Sequence, residues 1–409
     1  HTSGPQNGRT YIQFKNTMTY YGYDSSSQSS NLGISIKPGS VLTGVQTQRE
    51  YDYSSLGETW SSPRIIRLPN SGARDNLIDD DIYVAVMGGG YGVQHSGLGS
   101  NLTIVNLEDT THPGKIEKVI PIEDLETNDI VNSTPGSPVV ITPDTARGAN
   151  YKGAIVYLSD LEGKITKFNL TNMDNDGEGN SIALYDSTTL FTAESNSING
   201  RYMYHSMDAT IGQSTNSLWL YAGTGDYERI ADTSPGIQNL MLGIADPDFP
   251  MYKELNSPTK ASDLTKCKNT TDDTTGVNCP VLNNDIGWYI NLPDAQKVTA
   301  EPSIANGLSY FPVYRPSAGS DGCSIGDAFI CANDDECGTN ASSSLGTFQD
   351  PGDKCLYVGK GVLTKIVFFK DKLFANIAGE SNQNIKDLVT LDIPAGDITG
   401  YRGSWRENF

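Results

Sequence analysis

Short apolar runs bounded by turn-forming residues dominate the chain. Runs rich in β-branched and aromatic side chains fall at Arg64–Leu68, Ile82–Met87, Leu102–Asn106, Val139–Thr142, Ala154–Leu158, Ile165–Leu170, Leu218–Ala222, Leu308–Val313, Val362–Phe369, Leu373–Ile377 and Val389–Ile393. Gly, Pro, Asn or Asp flank them, as they do strands joined by tight turns. Apolar spacing with the helical period of about 3.6 residues is nearly absent; its best candidate is the short stretch Asn384–Leu388. The pattern predicts an all-β protein.

The runs also repeat in order. A lead-in of small residues and Pro is followed by a strand, then an apolar strand ending in a Gly-rich turn, then another strand. Trp60-Ser-Ser-Pro63 leads to Ile82–Met87 and Gly88-Gly-Gly-Tyr91, and Gly136-Ser-Pro138 leads to Ala154–Leu158 and Asp160-Leu-Glu-Gly163. Ser206-Met-Asp-Ala209 leads to Leu218–Ala222 and Gly223-Thr-Gly-Asp226, and Ala300-Glu-Pro302 leads to Leu308–Val313. The lead-ins at 63, 138, 209 and 302 are spaced by roughly 70–90 residues. Ordinary propeller blades take ~40–50, so four-stranded blades with long inserted loops are expected. A β-sandwich gives short strands without repeating this order. The expectation is one modified β-propeller of about six to seven blades over residues 1–409, with long, partly disulfide-bonded loop insertions. Residues 1–50 would supply an irregular first blade, and 262–356 would form cysteine-rich insertions.

Charge narrows the partners. Among 409 residues, 49 are acidic and 29 basic, a formal charge of −20. Nucleic acid or anionic lipid as main partner is excluded, because either needs a basic face to displace counterions. No apolar run approaches the ~18 residues of a membrane span, so none is expected in this chain. The sequence starts at His1 with neither Met nor signal peptide, which reads as a mature product or a fragment of something longer.

Six cysteines at 267, 279, 323, 331, 337 and 355 contain no C-x-x-C pair and share their stretch with no His. That pattern argues against zinc and for three disulfides in an oxidising, extracellular compartment. About fifteen pairings are possible. Short polar loops favour Cys267–Cys279 and Cys331–Cys337, which leaves Cys323–Cys355 to close the longer insert. Five sequons, at Asn101, Asn132, Asn169, Asn269 and Asn340, are expected on an exposed secreted surface.

Several of these segments resemble one family. Leu56-Gly-Glu-Thr-Trp-Ser-Ser-Pro63 followed by Val84-Ala-Val-Met-Gly-Gly-Gly-Tyr91 is similar to one blade of the PilY/PilC family, the type IV pilus-associated tip adhesins. Tyr157-Leu-Ser-Asp-Leu-Glu-Gly-Lys-Ile-Thr-Lys-Phe-Asn-Leu170 resembles its signature strand pair around an aspartate-leucine-x-glycine turn. Leu190–Ala193, Tyr221–Tyr227, Gln238–Ile244, Gly287–Pro293 and Val298–Pro302 follow in the family's order, so the match covers roughly residues 50–315. The resemblance implies a modified propeller at the pilus tip or cell surface, acting in adhesion and in pilus extension and retraction. It also implies calcium regulation, and a large N-terminal adhesive region that this chain lacks. The family's calcium loop, with aspartates at alternate positions, would fall just before Ala154. Here that segment is Thr142–Lys152, with one acid and two cations.

A better calcium candidate lies further on. Asn172, Asp174, Asp176, Glu178 and Asn180 place oxygen side chains at loop positions one, three, five, seven and nine, with Gly177 at position six. That is the front half of an EF-type loop, although Ala183 stands where the bidentate Glu belongs. Asn-Asp-Gly is also ordinary turn chemistry. Asn333–Glu336 and Asp79–Asp81 are further acidic clusters, which exposed loops also explain.

Enzyme signatures are weak. His205-Ser206-x-Asp208 has triad residue types, but neighbours on a strand alternate faces and seldom meet as nucleophile and base. Tyr53–Trp60 is reminiscent of a sialidase Asp-box with Ser55 in place of the Asp, and no arginine cluster accompanies it. The four tryptophans, Trp60, Trp219, Trp288 and Trp405, are too few for a quinoprotein propeller and read as blade-packing anchors. Twenty-one tyrosines, with Tyr20, Tyr21 and Tyr23 in one Gly/Ser-rich stretch, suit protein or glycan contact as well as packing between blades. The expected function is therefore non-catalytic adhesion at a pilus tip or cell surface, modulated by Ca2+. Pilin or minor pilin subunits, and a host or environmental protein or glycan, are the expected partners. The alternatives are an enzyme on a propeller scaffold, of glycosidase or quinoprotein type, or a structural cap of a surface filament.

Overall fold

The structure, a computed structural model, describes residues 51–58, 60–69, 81–92, 97–124, 132–143, 151–267, 286–317, 325–347, 354–379 and 388–393 in full. For 3–6, 9–13 and 20–24 it describes the backbone. Tyr20, Tyr21 and Tyr23 sit on one of those strands, and their side chains lie outside the described set, as do Cys279, Cys323, Asn269, Trp405 and most of Asn384–Leu388.

Among the described residues there is no α-helix, only three short 3-10 turns and six β-sheets. β1 (Ser3–Gln6), β2 (Arg9–Gln13) and β3 (Tyr20–Asp24) form the first. β4 (Arg64–Leu68), β5 (Ile82–Gly88), β6 (Asn101–Asn106) and β7 (Ile116–Pro121) form the second, an antiparallel meander. The third runs β8 (Val139–Ile141), β9 (Gly153–Ser159), β10 (Lys164–Thr171), β11 (Ser187–Thr192). In the fourth, β12 (Asp208–Ile211), β13 (Leu218–Gly223) and β14 (Leu240–Asp246) are followed by β17 (Gly287–Asn291). The two-residue strands β15 (Thr259–Lys260) and β16 (Thr265–Lys266) add in parallel to β11 and β17. In the fifth, β18 (Lys297–Val298) and β19 (Ser303–Ala305) both pair β20 (Leu308–Arg315), then β21 (Asp327–Asp334) and β22 (Leu356–Lys360) follow. The sixth gathers β23 (Val362–Leu363), β24 (Val367–Phe369) and β26 (Leu388–Asp392) around β25 (Lys372–Ala378).

Alternation within each strand explains how the sheets stack. Ala154, Val156 and Leu158 of β9 pack with Val84 and Val86 of β5, whereas Ile155 and Tyr157 pack with Leu218 and Leu220 of β13. Trp219 and Tyr221 turn the other way, toward Phe311 and Val313 of β20. Ala328, Ile330 and Ala332 of β21 then meet Leu373, Ala375 and Ile377 of β25. Each middle sheet is thus covered on both faces, which is why its strands read as unbroken apolar runs rather than alternating ones. The second and sixth sheets carry exposed apolar side chains on the faces turned away from these contacts: Ile65 and Tyr83 on the second, and Val367, Phe369 and Leu388 on the sixth.

Two features fix the fourth and third sheets. Gly243 of β14 lies opposite Trp288 of β17, and a Cβ on Gly243 would stand 2.4 Å from the indole. A buried polar set joins the third and fourth sheets: Lys167 Nζ lies 2.6 Å from Asp246 Oδ2, which also accepts the Tyr157 hydroxyl at 2.6 Å.

The disulfide expectation needs correction. Cys331 bonds Cys355, with Cα atoms 4.3 Å apart; neither Cys331–Cys337 nor Cys323–Cys355 forms. β21 and β22 pair antiparallel with Ile330 opposite Leu356, so register sets Cys331 and Cys355 side by side. Cys337 belongs to the turn beyond β21, where Asp334 accepts its amide, and it stands as a thiol beside Thr339. Cys267 is disulfide-bonded; Cys279 lies outside the described residues, so Cys267–Cys279 is untouched by this correction. The sequons differ too. Asn101, Asn132 and Asn169 are buried, and their amides donate to Ser55 O, Ile122 O and Ala183 O.

Candidate binding face

The proposed calcium loop follows β10. Asp176 takes N–H groups from Glu178, Asn180 and the Asn180 side-chain amide, and that side-chain hydrogen bond leads in holding its carboxyl below the usual range. Asp174 accepts the Asn175 amide at 2.7 Å. Asn172 instead caps Lys152 N at 2.8 Å, and Glu178 pairs with Lys253 Nζ at 2.8 Å. The structure therefore brings Asp176 and Asn180 together but spreads Asn172, Asp174 and Glu178 over separate contacts. Among the described residues, no three Asp, Glu, His or Cys side chains converge as a metal cluster. The acidic stretch Asn333–Glu336 is a clamp: Glu336 accepts Ser214 N and Thr215 N, and the Asp335 carbonyl accepts Trp288 Nε1. Asp81 lies 3.5 Å from both Arg67 and Lys152; Asp79 and Asp80 lie outside the described residues.

The triad types are held apart. Ser206 Oγ accepts Ser137 N at 2.7 Å, and Asp208 Oδ2 accepts Ile304 N at 3.2 Å. Among the described residues the buried Nε2 of His205 has no hydrogen-bond partner, and burial pushes its pKa down to about 4. Its ring meets Tyr227 edge-on at 5.4 Å.

These contacts reveal how the lead-ins assemble. Ser62 N donates to Ser137 Oγ at 2.8 Å, and Ser137 N donates to Ser206 Oγ, so the lead-ins of the second, third and fourth sheets run side by side. Gly136 makes this approach possible, since a Cβ there would already sit 3.1 Å from Ser206 N. The side chains flanking the lead-ins then stack. Trp60 lies 5.8 Å from Tyr91 with rings 8° from parallel, and Tyr91 lies 6.5 Å from Tyr204 at 23°. Trp60 is 58% exposed, while Trp219 and Trp288 are fully buried. The expectation of packing anchors thus holds for two tryptophans and fails for Trp60.

Acids flank this ladder. The Tyr91 hydroxyl donates to Glu228, and the Tyr204 hydroxyl lies 3.4 Å from Asp226 Oδ1. Burial first, then the Glu228 bond and the charges of Glu228, Asp226 and Glu58, push the Tyr91 pKa up to about 12. Asp226 also pairs with Arg229 at 2.6 Å. Beyond them opens a cavity of about 240 Å³ bordered by Ile198, Asp226, Arg229, Asp232, Asn239 and Lys297. Lys297 is buried there, and its ammonium donates to the Asp232 and Ala295 carbonyls. Sequence reasoning missed the ladder. The available signal was that Trp60 and Tyr91 flank β4 and β5, neighbours in one meander, where Glu58 bridges Tyr91.

No protein-family model matches the chain, and no curated protein matches it in sequence. A solved structure does: the C-terminal domain of PilY1 from Pseudomonas aeruginosa, at TM-score 0.55 and 14% identity, over 97% of this chain and 82% of that one. The two share a fold.

Proposed function

We propose that this chain is an extracellular, non-catalytic domain of the type IV pilus-associated tip adhesin kind, working at the cell surface or pilus tip. The observation that carries the reading is the shared fold with the PilY1 C-terminal domain across 97% of the chain. The ordered motifs between residues 50 and 315 point the same way. In this reading pilin or minor pilin subunits and a host or environmental protein or glycan are the partners, and adhesion, extension and retraction are the processes served. Trp60, backed by Tyr91 and Tyr204, is the contact surface, since an exposed aromatic held in a stack supplies rigid contact area at low entropic cost.

The sheets are then blades of a modified propeller of about six to seven. Residues 1–50 would be its irregular first blade; beyond the backbones of β1, β2 and β3 they lie outside the described residues. Calcium would act at Asn172–Asn180. Oxygen donors suit a hard cation, and binding there has to draw Glu178 away from Lys253.

Immunogold labelling of sheared filaments from cells producing a tagged chain tests the reading. Label at filament ends is expected. Filaments free of the chain, with the chain elsewhere on the cell, would overturn it.

A further inference from the structure

The ladder carries a charge asymmetry that selects its ligand. Trp60 offers an open indole, Tyr91 and Tyr204 back it, and Glu58 and Glu228 are exposed beside it. Among the described residues neither Glu58 nor Glu228 has a cationic partner; Asp226 adds a third carboxylate, which pairs with Arg229 and shares the neighbouring cavity with Asp232 and Lys297. An aromatic face attracts cations through its quadrupole, Trp most strongly, and adjacent carboxylates deepen that attraction. A neutral sugar would use the ring but not the negative charge beside it. A planar guanidinium uses both, stacking on indole while its edge N–H groups reach carboxylate oxygens.

We propose that the Trp60–Tyr91–Tyr204 ladder binds an arginine side chain presented by an extended basic segment of a partner protein. The guanidinium lies on the exposed face of Trp60, and Glu58 and Glu228 fix its edge. The net charge of −20 steers such a segment toward the chain. This rests on the reading of the ladder as a contact surface; the test below uses the purified chain without pili, so its failure is distinct from failure to locate the chain on filaments.

The probe is an acetylated and amidated octapeptide, Gly-Ser-Arg-Gly-Ser-Arg-Gly-Ser, titrated calorimetrically. Binding that weakens as salt rises is expected. Trp60→Ala should loosen it about 5- to 30-fold, the range of a partly to fully desolvated cation–π contact. Glu58→Gln with Glu228→Gln should loosen it and flatten the salt dependence. Trp60 is exposed, so its variant should keep the wild-type melting curve; the Gln pair decides the matter independently. A peptide with citrulline for arginine should bind at least tenfold more weakly. The proposal is overturned by no binding at millimolar peptide, by equal binding of the citrulline peptide, or by Trp60→Ala leaving affinity unchanged. It is also overturned if cellohexaose binds in a Trp60-dependent way while the arginine peptide does not.

Discussion

Substituting Gly243 by Ala probes the packing that joins the fourth and fifth sheets. An added Cβ would meet Trp288 Cε2 and Nε1 at 2.4 Å and Cζ2 at 2.8 Å, well inside any tolerated contact. The indole has nowhere to retreat. On its other side a Cβ on Gly338 would already lie 2.6 Å away. Its N–H is fixed to the Asp335 carbonyl at 2.9 Å, and Phe311 and Tyr221 stand at 6.2 and 6.5 Å. Overpacking of this kind costs about 1–3 kcal/mol. Displacing the buried indole N–H from its acceptor adds about 1 kcal/mol, so a loss of roughly 2–4 kcal/mol is expected.

Urea unfolding, followed by circular dichroism, measures this loss, provided the transition is two-state. A double-mutant cycle isolates its cause. In a Trp288→Leu background the same alanine has room, and its cost should fall below about 1 kcal/mol, a coupling of the size contacting residues show. If Gly243→Ala is neutral, or if its cost is the same with Leu at 288, the steric account is wrong.

Three further outcomes follow from the same structure. Cys355→Ser should cost about 3–4 kcal/mol, because the lost crosslink closes a separation of 24 residues; unreduced peptide mapping should recover Cys331 with Cys355, and a Cys331–Cys337 peptide would refute the register argument. His205, held near pKa 4 by burial, protonates near 6.5 when unfolded. Its contribution is therefore intact above pH 6.5 and lost as pH falls toward 4, about 3 kcal/mol in all; His205→Phe should flatten that part of the stability curve, and an unchanged slope would count against it. Calcium at millimolar concentration should raise the melting temperature by mass action. Asp174→Ala with Asp176→Ala should abolish the rise and Lys253→Met should enlarge it, whereas identical melting in calcium and chelator would remove calcium from this loop.

Much of the fold was legible in the sequence because most strands are buried on both faces. Runs such as Ala154–Leu158 and Leu218–Ala222 stand out when both faces are apolar, and the observed strands extend them by one or two residues. Val362–Phe369 reads as one strand but breaks, because Thr364 Oγ1 takes the amide of Asn376 and interrupts the ladder there. Register is what a linear reading cannot supply. It decided the cysteine pairing, where sequence distance favoured Cys337 and strand pairing favoured Cys355. It also buried Asn101 and Asn169, which read as surface sequons.

The ladder was hidden for a related reason. Its three rings come from positions 60, 91 and 204, and they meet because three lead-ins converge, with glycine at 136 where any side chain would hold Ser206 away. Among the described residues, sheets covered on both faces leave few surfaces free for recognition: strand edges, the exposed apolar positions of the second and sixth sheets, and the turns and lead-ins. Edges pair promiscuously, and broad apolar faces suit the chain's own segments. Lead-ins are different. They are anchored by the sheets on either side, so the side chains beside them are positioned as rigidly as the core, yet they stand in solvent. Trp60 depends on that arrangement. Its exposure would be a liability on an isolated loop, but backed by Tyr91 and Tyr204 and flanked by Glu58 and Glu228 it becomes a preorganised surface whose charge decides what settles on it.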